Sequence, residues 1–157
     1  MQMTLELFVK NLFLYRFVVI KMVKINQESM KIITLFENKT RSNVKDFFEY
    51  NDILIFIVKE GQASKAVGKN GINVKNLSNL LRKKIKVVEF NSQPVSFIKG
   101  FIYPIGAEEI TQEEGVIVIK VASTREKGLL IGRESRNLNK LKEIVKRYYG
   151  IEEIKIN

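Results

Sequence analysis

The sequence predicts an α+β protein made of two similar units in tandem, each a three-stranded sheet packed with helices. Three observations carry this. A pattern of strand, short helix, glycine loop, helix and strand occurs twice; each copy is prefaced by a further helix and strand; and 157 residues at 45% hydrophobic content suffice for two very small cores.

The first copy opens with Ile53 to Val58 and the second with Val116 to Val121, β-branched runs that read as buried strands. The loops follow 64 positions apart: Lys65-Ala66-Val67-Gly68-Lys69-Asn70-Gly71, and Leu129-Leu130-Ile131-Gly132-Arg133-Glu134-Ser135. After the first loop Val74, Leu77 and Leu81 make a helical stripe, with Asn73, Asn76, Ser78, Asn79 and Arg82 facing away. After the second, Leu138, Leu141, Val145 and Tyr148 make the stripe, with Arg136, Asn139, Lys140 and Glu143 outside it; Gly150 is the stop signal. Ile85 to Phe90 and Glu153 to Ile156 read as closing strands.

The prefaces follow similar logic. Asn26 caps a helix through Asn38, with Glu28 where the dipole favours an acid. Val44 to Tyr50 is a strand that turns at Asn51-Asp52 into the next. In the second unit Ser92-Gln93-Pro94 is a cap with an early proline before a helix near Val95 to Gly100. Ala107 to Thr111 then forms a strand, with its turn at Glu113-Glu114-Gly115. The boundary falls near Asn91, giving units 22–91 and 92–157. Residues 1–21 are apolar but interrupted by Glu6, Lys10 and Arg16, too short a run to span a membrane and not laid out as a secretion signal. They are read as an upstream extension to a natural start at Met22, with a mobile or peripherally packed helix as the alternative.

The net charge of +10 and pI near 9.7 favour a polyanionic partner. With no Cys and no His, disulfides and zinc sites built on thiolate or imidazole are excluded, and the commonest general base is missing. A non-enzymatic protein with no metal or cofactor is expected, in the cytoplasm. The paired acids Glu108-Glu109 and Glu113-Glu114 supply no nucleophile–base partnership. A membrane-surface or scaffold role is the alternative of another class. Its support is the apolar amino terminus and the basic cluster Arg82-Lys83-Lys84-Ile85-Lys86, which also fits a solvated helix end.

Between two helices, Gly68-Lys69-Asn70-Gly71 has the makings of an anion site. Glycines let a sugar-phosphate strand lie against the backbone, the following helix offers free N–H groups, and Lys65, Lys69 and Lys75 bring charge. Neither a P-loop nor a dinucleotide fingerprint is present. The loop matches the GxxG element of the KH module, which clamps about four nucleotides of RNA backbone. Val67, Ile72 and Val74 flank it and could face bases, though plain core packing explains each at least as well, and Val74 best of all. The aromatics do not form the strand pattern of an RRM.

The order helix-strand-strand-helix-GxxG-helix-strand, used twice in a short chain, resembles the archaeal NusA-like transcription factors. The residues that carry the resemblance are Val58-Lys59-Glu60-Gly61 with Ala66 through Val74. In the second unit they are Phe97-Ile98, Tyr103 through Ala107, and Lys127-Gly128-Leu129-Leu130-Ile131-Gly132-Arg133. The resemblance covers roughly Met22 to Asn157. It implies type II KH domains, binding of single-stranded RNA, and a role in transcription termination, antitermination or elongation control, with RNA polymerase or a transcription complex as a further partner. Ribosomal RNA processing or ribosome assembly stays open, and a monomer is expected.

The second loop departs from the pattern. Gly132-Arg133-Glu134-Ser135 lacks the closing glycine and puts a carboxylate where a phosphate would lie. Arg133 and Arg136 offset Glu134, Lys127 adds charge upstream, and the Ser135 hydroxyl is expected to cap the helix. The first unit is therefore expected to dominate binding.

Overall fold

In the computed structural model residues 27–157 are described; the segment 1–21, the start at Met22 and the capping role of Asn26 lie outside the described residues. The first unit runs α1 (Gln27–Thr40), β1 (Val44–Tyr50), β2 (Ile53–Val58), α2 (Ala63–Val67), a 3-10 turn (Lys69–Gly71), α3 (Ile72–Leu81) and β3 (Lys84–Glu89). The second runs α4 (Pro94–Ile102), β4 (Glu109–Glu113), β5 (Val116–Lys120), α5 (Thr124–Ile131), a 3-10 turn (Arg133–Ser135), α6 (Arg136–Tyr149) and β6 (Glu153–Ile156). In each sheet the middle strand pairs antiparallel with the preceding strand and parallel with the closing one, orders β1-β2-β3 and β4-β5-β6. This is the α+β arrangement of two tandem KH folds.

Both hairpins close through left-handed residues, Asn51 and Asp52 (φ 47° and 59°) and Glu114 and Gly115 (φ 47° and 79°), the twist that a two-residue hairpin needs. Strand β4 lies two residues later than its composition suggests, because the Glu114-Gly115 turn sets its register against β5. Helix α4 starts at Pro94 with Gln93 as its cap residue, so Ser92 does not play that part.

Strand β2 explains how the units join. Leu54, Phe56 and Val58 point to one face and pack with Phe36 of α1, Ala66 of α2 and Leu77 of α3. Ile55 and Ile57 point to the other, where with Phe48 and Val88 they share a cluster with Phe97 and Ile98 of α4 and Leu141 and Val145 of α6. The first sheet is thus covered by its own helices on one side and by the second unit's on the other. Burying each such side chain contributes about 1.5–3 kcal/mol.

The second sheet differs. Ile117, Ile119, Ile154 and Ile156 face the shared core, while the register puts Glu109, Thr111, Glu113, Lys120, Glu153 and Lys155 on the outer face beside Val116 and Val118. β5 is therefore half-buried and alternating, not a buried strand like β2. Its run breaks at Lys120, which stands where β2 has Ile57.

Directional bonds orient the seam. At the β1 bulge, Asp46 Oδ2 accepts from Arg147 Nη1 and from the Tyr148 hydroxyl, each at 2.8 Å. Arg147 also lies 5.2 Å from the Phe48 ring centre, and Tyr149 donates to the Asn91 carbonyl while stacking on Phe90. Burial first, and then Asp46, pushes the Tyr148 hydroxyl well above the usual tyrosine range; burial pushes Tyr149 up to about 12.

Two expectations follow from the seam. Asp46→Ala leaves the half-buried Tyr148 and the exposed Arg147 without their shared acceptor and should cost about 1–3 kcal/mol in urea denaturation. Both tyrosines hold their protons longer folded than unfolded, where they ionise near about 10. Their contribution is complete below about pH 10 and is lost as pH rises towards 12. Urea midpoints at a series of pH values from about 8 to 11 should fall only in the upper part of that range.

Candidate nucleic-acid interface

The first loop is built by short-range bonds. Glu89 at the end of β3 accepts from the Ala63 amide at 3.0 Å, anchoring the start of α2. That helix ends where the Gly68 amide donates to Ser64 O at 2.9 Å, and the chain swings out through Gly68 (φ 76°, ψ 170°). Asn70 (φ 55°) and Gly71 (φ 72°) are left-handed, the Gly71 amide donates back to Gly68 O at 3.1 Å, and α3 begins at Ile72.

The second loop has nearly the same backbone despite its different residues. Gly132 (φ 71°, ψ 168°), Glu134 (φ 55°) and Ser135 (φ 58°) repeat the sequence of angles, and the amides of Gly132 and Ser135 make the matching bonds. Two asparagines account for this. Asn73 Nδ2 donates to Lys65 O at 3.1 Å, and Asn137 Nδ2 donates to Leu129 O at 2.9 Å, each tying the helix after the loop to the one before. Both side chains lie against the leading glycine: a Cβ on Gly68 would stand 2.8 Å from Asn73 Nδ2, and one on Gly132 2.6 Å from Asn137 Cγ. A Cβ on Gly71 would meet nothing within 4 Å, so Ser135 is sterically tolerated there at the cost of left-handed strain alone. Asn73 was placed by periodicity on the solvent side of its helix; its recurrence as Asn137, five residues after each leading glycine, was the available signal.

The amides of Lys69 and Asn70, and likewise those of Arg133 and Glu134, are bonded to no other group among the described residues. Lys69 and Asn70 are exposed, as are Lys65 and Lys75, and Gly71 is half-buried at the start of α3. None of the three lysines forms an ion pair among the described residues. Ile72 is 49% exposed beside the loop, whereas Val67 and Val74 are partly buried. In the second unit Arg133, Glu134, Ser135 and Arg136 are exposed and Lys127 is half-buried. Glu134 accepts from Arg136 at 2.7 Å, so the arginine's charge is partly spent within the chain, while Arg133 is unpaired among the described residues. Ser135 makes no side-chain capping bond, contrary to expectation: its left-handed φ turns the hydroxyl away from the geometry an extended cap residue provides.

The basic run Arg82 to Lys86 does not form one surface. Arg82 ends α3, Lys83 pairs with Glu49, Lys84 is exposed, and Lys86 points from β3 into the seam, where burial holds its pKa below the usual lysine value. Lys140, placed outside its helical stripe, has a side chain only 15% exposed because the first sheet covers it. Among the described residues no helix is long and apolar enough to cross a membrane.

The loop angles make two stability predictions. Ser135→Gly should stabilise the chain by about 0.5–1 kcal/mol by removing left-handed strain. Gly132→Ala should destabilise it by about 1–3 kcal/mol, through φ and the clash with Asn137. Thermal melts of both variants against the parent check this.

No family profile matches the chain. Several curated proteins do. The "Probable transcription termination protein NusA" of Methanococcus vannielii is 32% identical over 137 residues, 85% of this chain and 79% of that protein. Proteins of the same name from Methanocaldococcus jannaschii and Halobacterium salinarum are 28% and 24% identical, each over 85% of this chain and covering 75% and 98% of their own lengths. A solved structure described as "Crystal structure of APE1850" superimposes with a TM-score of 0.61 at 30% identity, over 82% of this chain and 96% of that one. The repeat, the two sheets and these relatives agree, and the chain belongs to the archaeal NusA-like transcription termination protein family.

Proposed function

We propose that the chain binds single-stranded RNA through its two glycine loops and acts in transcription termination, antitermination or elongation control. The observation that carries this is the first loop itself, where two uncommitted main-chain amides stand among three lysines that pair with no acid among the described residues. That combination suits a ribose-phosphate backbone: amides donate to phosphate oxygens and the ammonium groups release counterions. Units 22–91 and 92–157 are the two binding modules, the first dominant because Glu134 repels phosphate and occupies Arg136 in the second. The transcription role comes from the relatives' names.

The geometry also selects the test. Gly68 is wedged against Asn73, so substituting it would perturb folding, whereas Lys69 and Asn70 are exposed. Lys69→Asp combined with Asn70→Asp should lower affinity for single-stranded RNA at least about tenfold, about 1.4 kcal/mol, without changing the melting temperature. Arg133→Asp should cost less, and a greater loss from it would refute the ranking. Filter binding across a salt series should give a log–log slope of about −0.7 per phosphate neutralised, and a slope near zero would refute ionic clamping. RNA crosslinking in extract, with sequencing of the recovered strands, should return nascent transcripts; recovery of ribosomal precursors alone would move the role to ribosome assembly.

A further inference from the structure

We propose that Asn73 and Asn137 are positioning residues that release main-chain amides for RNA by standing in for them as hydrogen-bond donors. The inference rests on the RNA-binding reading above and concerns what keeps the loop amides free. Helix α2 stops where the Gly68 amide donates to Ser64 O at 2.9 Å. Were the helix to continue, the next bond would run from the Lys69 amide to Lys65 O, four residues back. That carbonyl is taken instead by Asn73 Nδ2 at 3.1 Å, and the Lys69 amide stays uncommitted among the described residues.

The second loop repeats the exchange. The Gly132 amide donates to Gly128 O at 2.8 Å and Asn137 Nδ2 takes Leu129 O at 2.9 Å. The Arg133 amide, which a longer α5 would turn onto that same carbonyl, is again uncommitted among the described residues. Of their four turn residues the loops share only the leading glycine, so the exchange follows the asparagine and not the turn sequence.

The substitution of donors matters in two ways. A carbonyl at the end of a helix carries partial negative charge when no donor meets it, which disfavours a phosphate beside it. The asparagine amide satisfies that carbonyl without spending the main-chain N–H. Gly68 makes the competing state accessible, since a residue without a Cβ takes its present φ of 76° and helical angles about equally readily. With Asn73 in place the Lys69 amide is available to a phosphate oxygen. With the side chain removed, that amide closes onto Lys65 O and is lost to RNA.

The test uses the full chain with the variants Asn73→Ala and Asn73→Leu, the second keeping bulk beneath Gly68 while removing the donor. Amide hydrogen exchange followed by NMR reads the Lys69 N–H directly. It should exchange freely in the parent and at least about tenfold more slowly in both variants. A residue that only stabilised the fold would give the opposite sign, because weakening a structure speeds exchange. In anisotropy titrations with a labelled random-sequence single-stranded RNA, both variants should bind about three- to tenfold more weakly. Their log–log salt slope should match the parent's, since no lysine is lost. Asn137→Ala should slow exchange at Arg133 in the same way and weaken RNA binding less. Unchanged or faster exchange at Lys69 in both variants would overturn the proposal. Slowed exchange with unchanged RNA affinity would also overturn it and leave RNA binding intact. Failure of the parent to bind the RNA would overturn both readings.

Discussion

A sheet with apolar side chains on both faces cannot exist as the surface of a lone small domain, and in this chain that constraint falls on strand β2. Its six apolar residues demand two covers; the first unit's helices supply one and the second unit the other. Burial is non-directional, so apolar contact alone would leave the relative orientation loose. Asp46, which holds Arg147 and Tyr148 together, supplies the direction. The placement of both loops is a consequence of this docking.

Within each loop the shape and the charge are set by different residues. Shape belongs to a glycine and an asparagine five positions later, whose side-chain amide bridges the two helices across the turn. Charge belongs to the two exposed positions in between, which touch little else. The two copies show the separation directly: Lys69-Asn70 and Arg133-Glu134 sit on nearly identical backbones. A loop of this kind can lose electrostatic grip without losing its form.

Much of this was legible in the sequence, because local pattern fixes local structure. The duplicated order of elements, the hairpin at Asn51-Asp52, the stop at Gly150 and the extents of β1, β2 and β6 were all readable from periodicity and turn residues. What stayed hidden depends on partners distant in sequence. A helical stripe separates the faces of one helix but does not say that a second unit covers the other face, so Lys140 and Lys86 read as solvated charges. Asn73 read as surface because an asparagine that bridges two backbones looks like any polar residue. The contrast between Ile53–Val58, apolar throughout, and a run broken at Lys120 was visible, yet both runs read as buried strands, because coverage of the second face depends on a neighbour distant in sequence.

That contrast limits the architecture itself. A unit whose sheet shows carbon on its outer side recruits a neighbour, whereas on the second sheet Glu109, Glu113, Lys120, Glu153 and Lys155 meet water and surround the two valines of that face, Val116 and Val118, with charge. Among the described residues, this charged face is therefore a poorer docking surface than the apolar second face of the first sheet. A further repeat fused after Asn157 would hang as a tethered neighbour, adding valency by proximity and not by extending the rigid body. Desolvating these charges would oppose apolar contact of the kind that joins the two units.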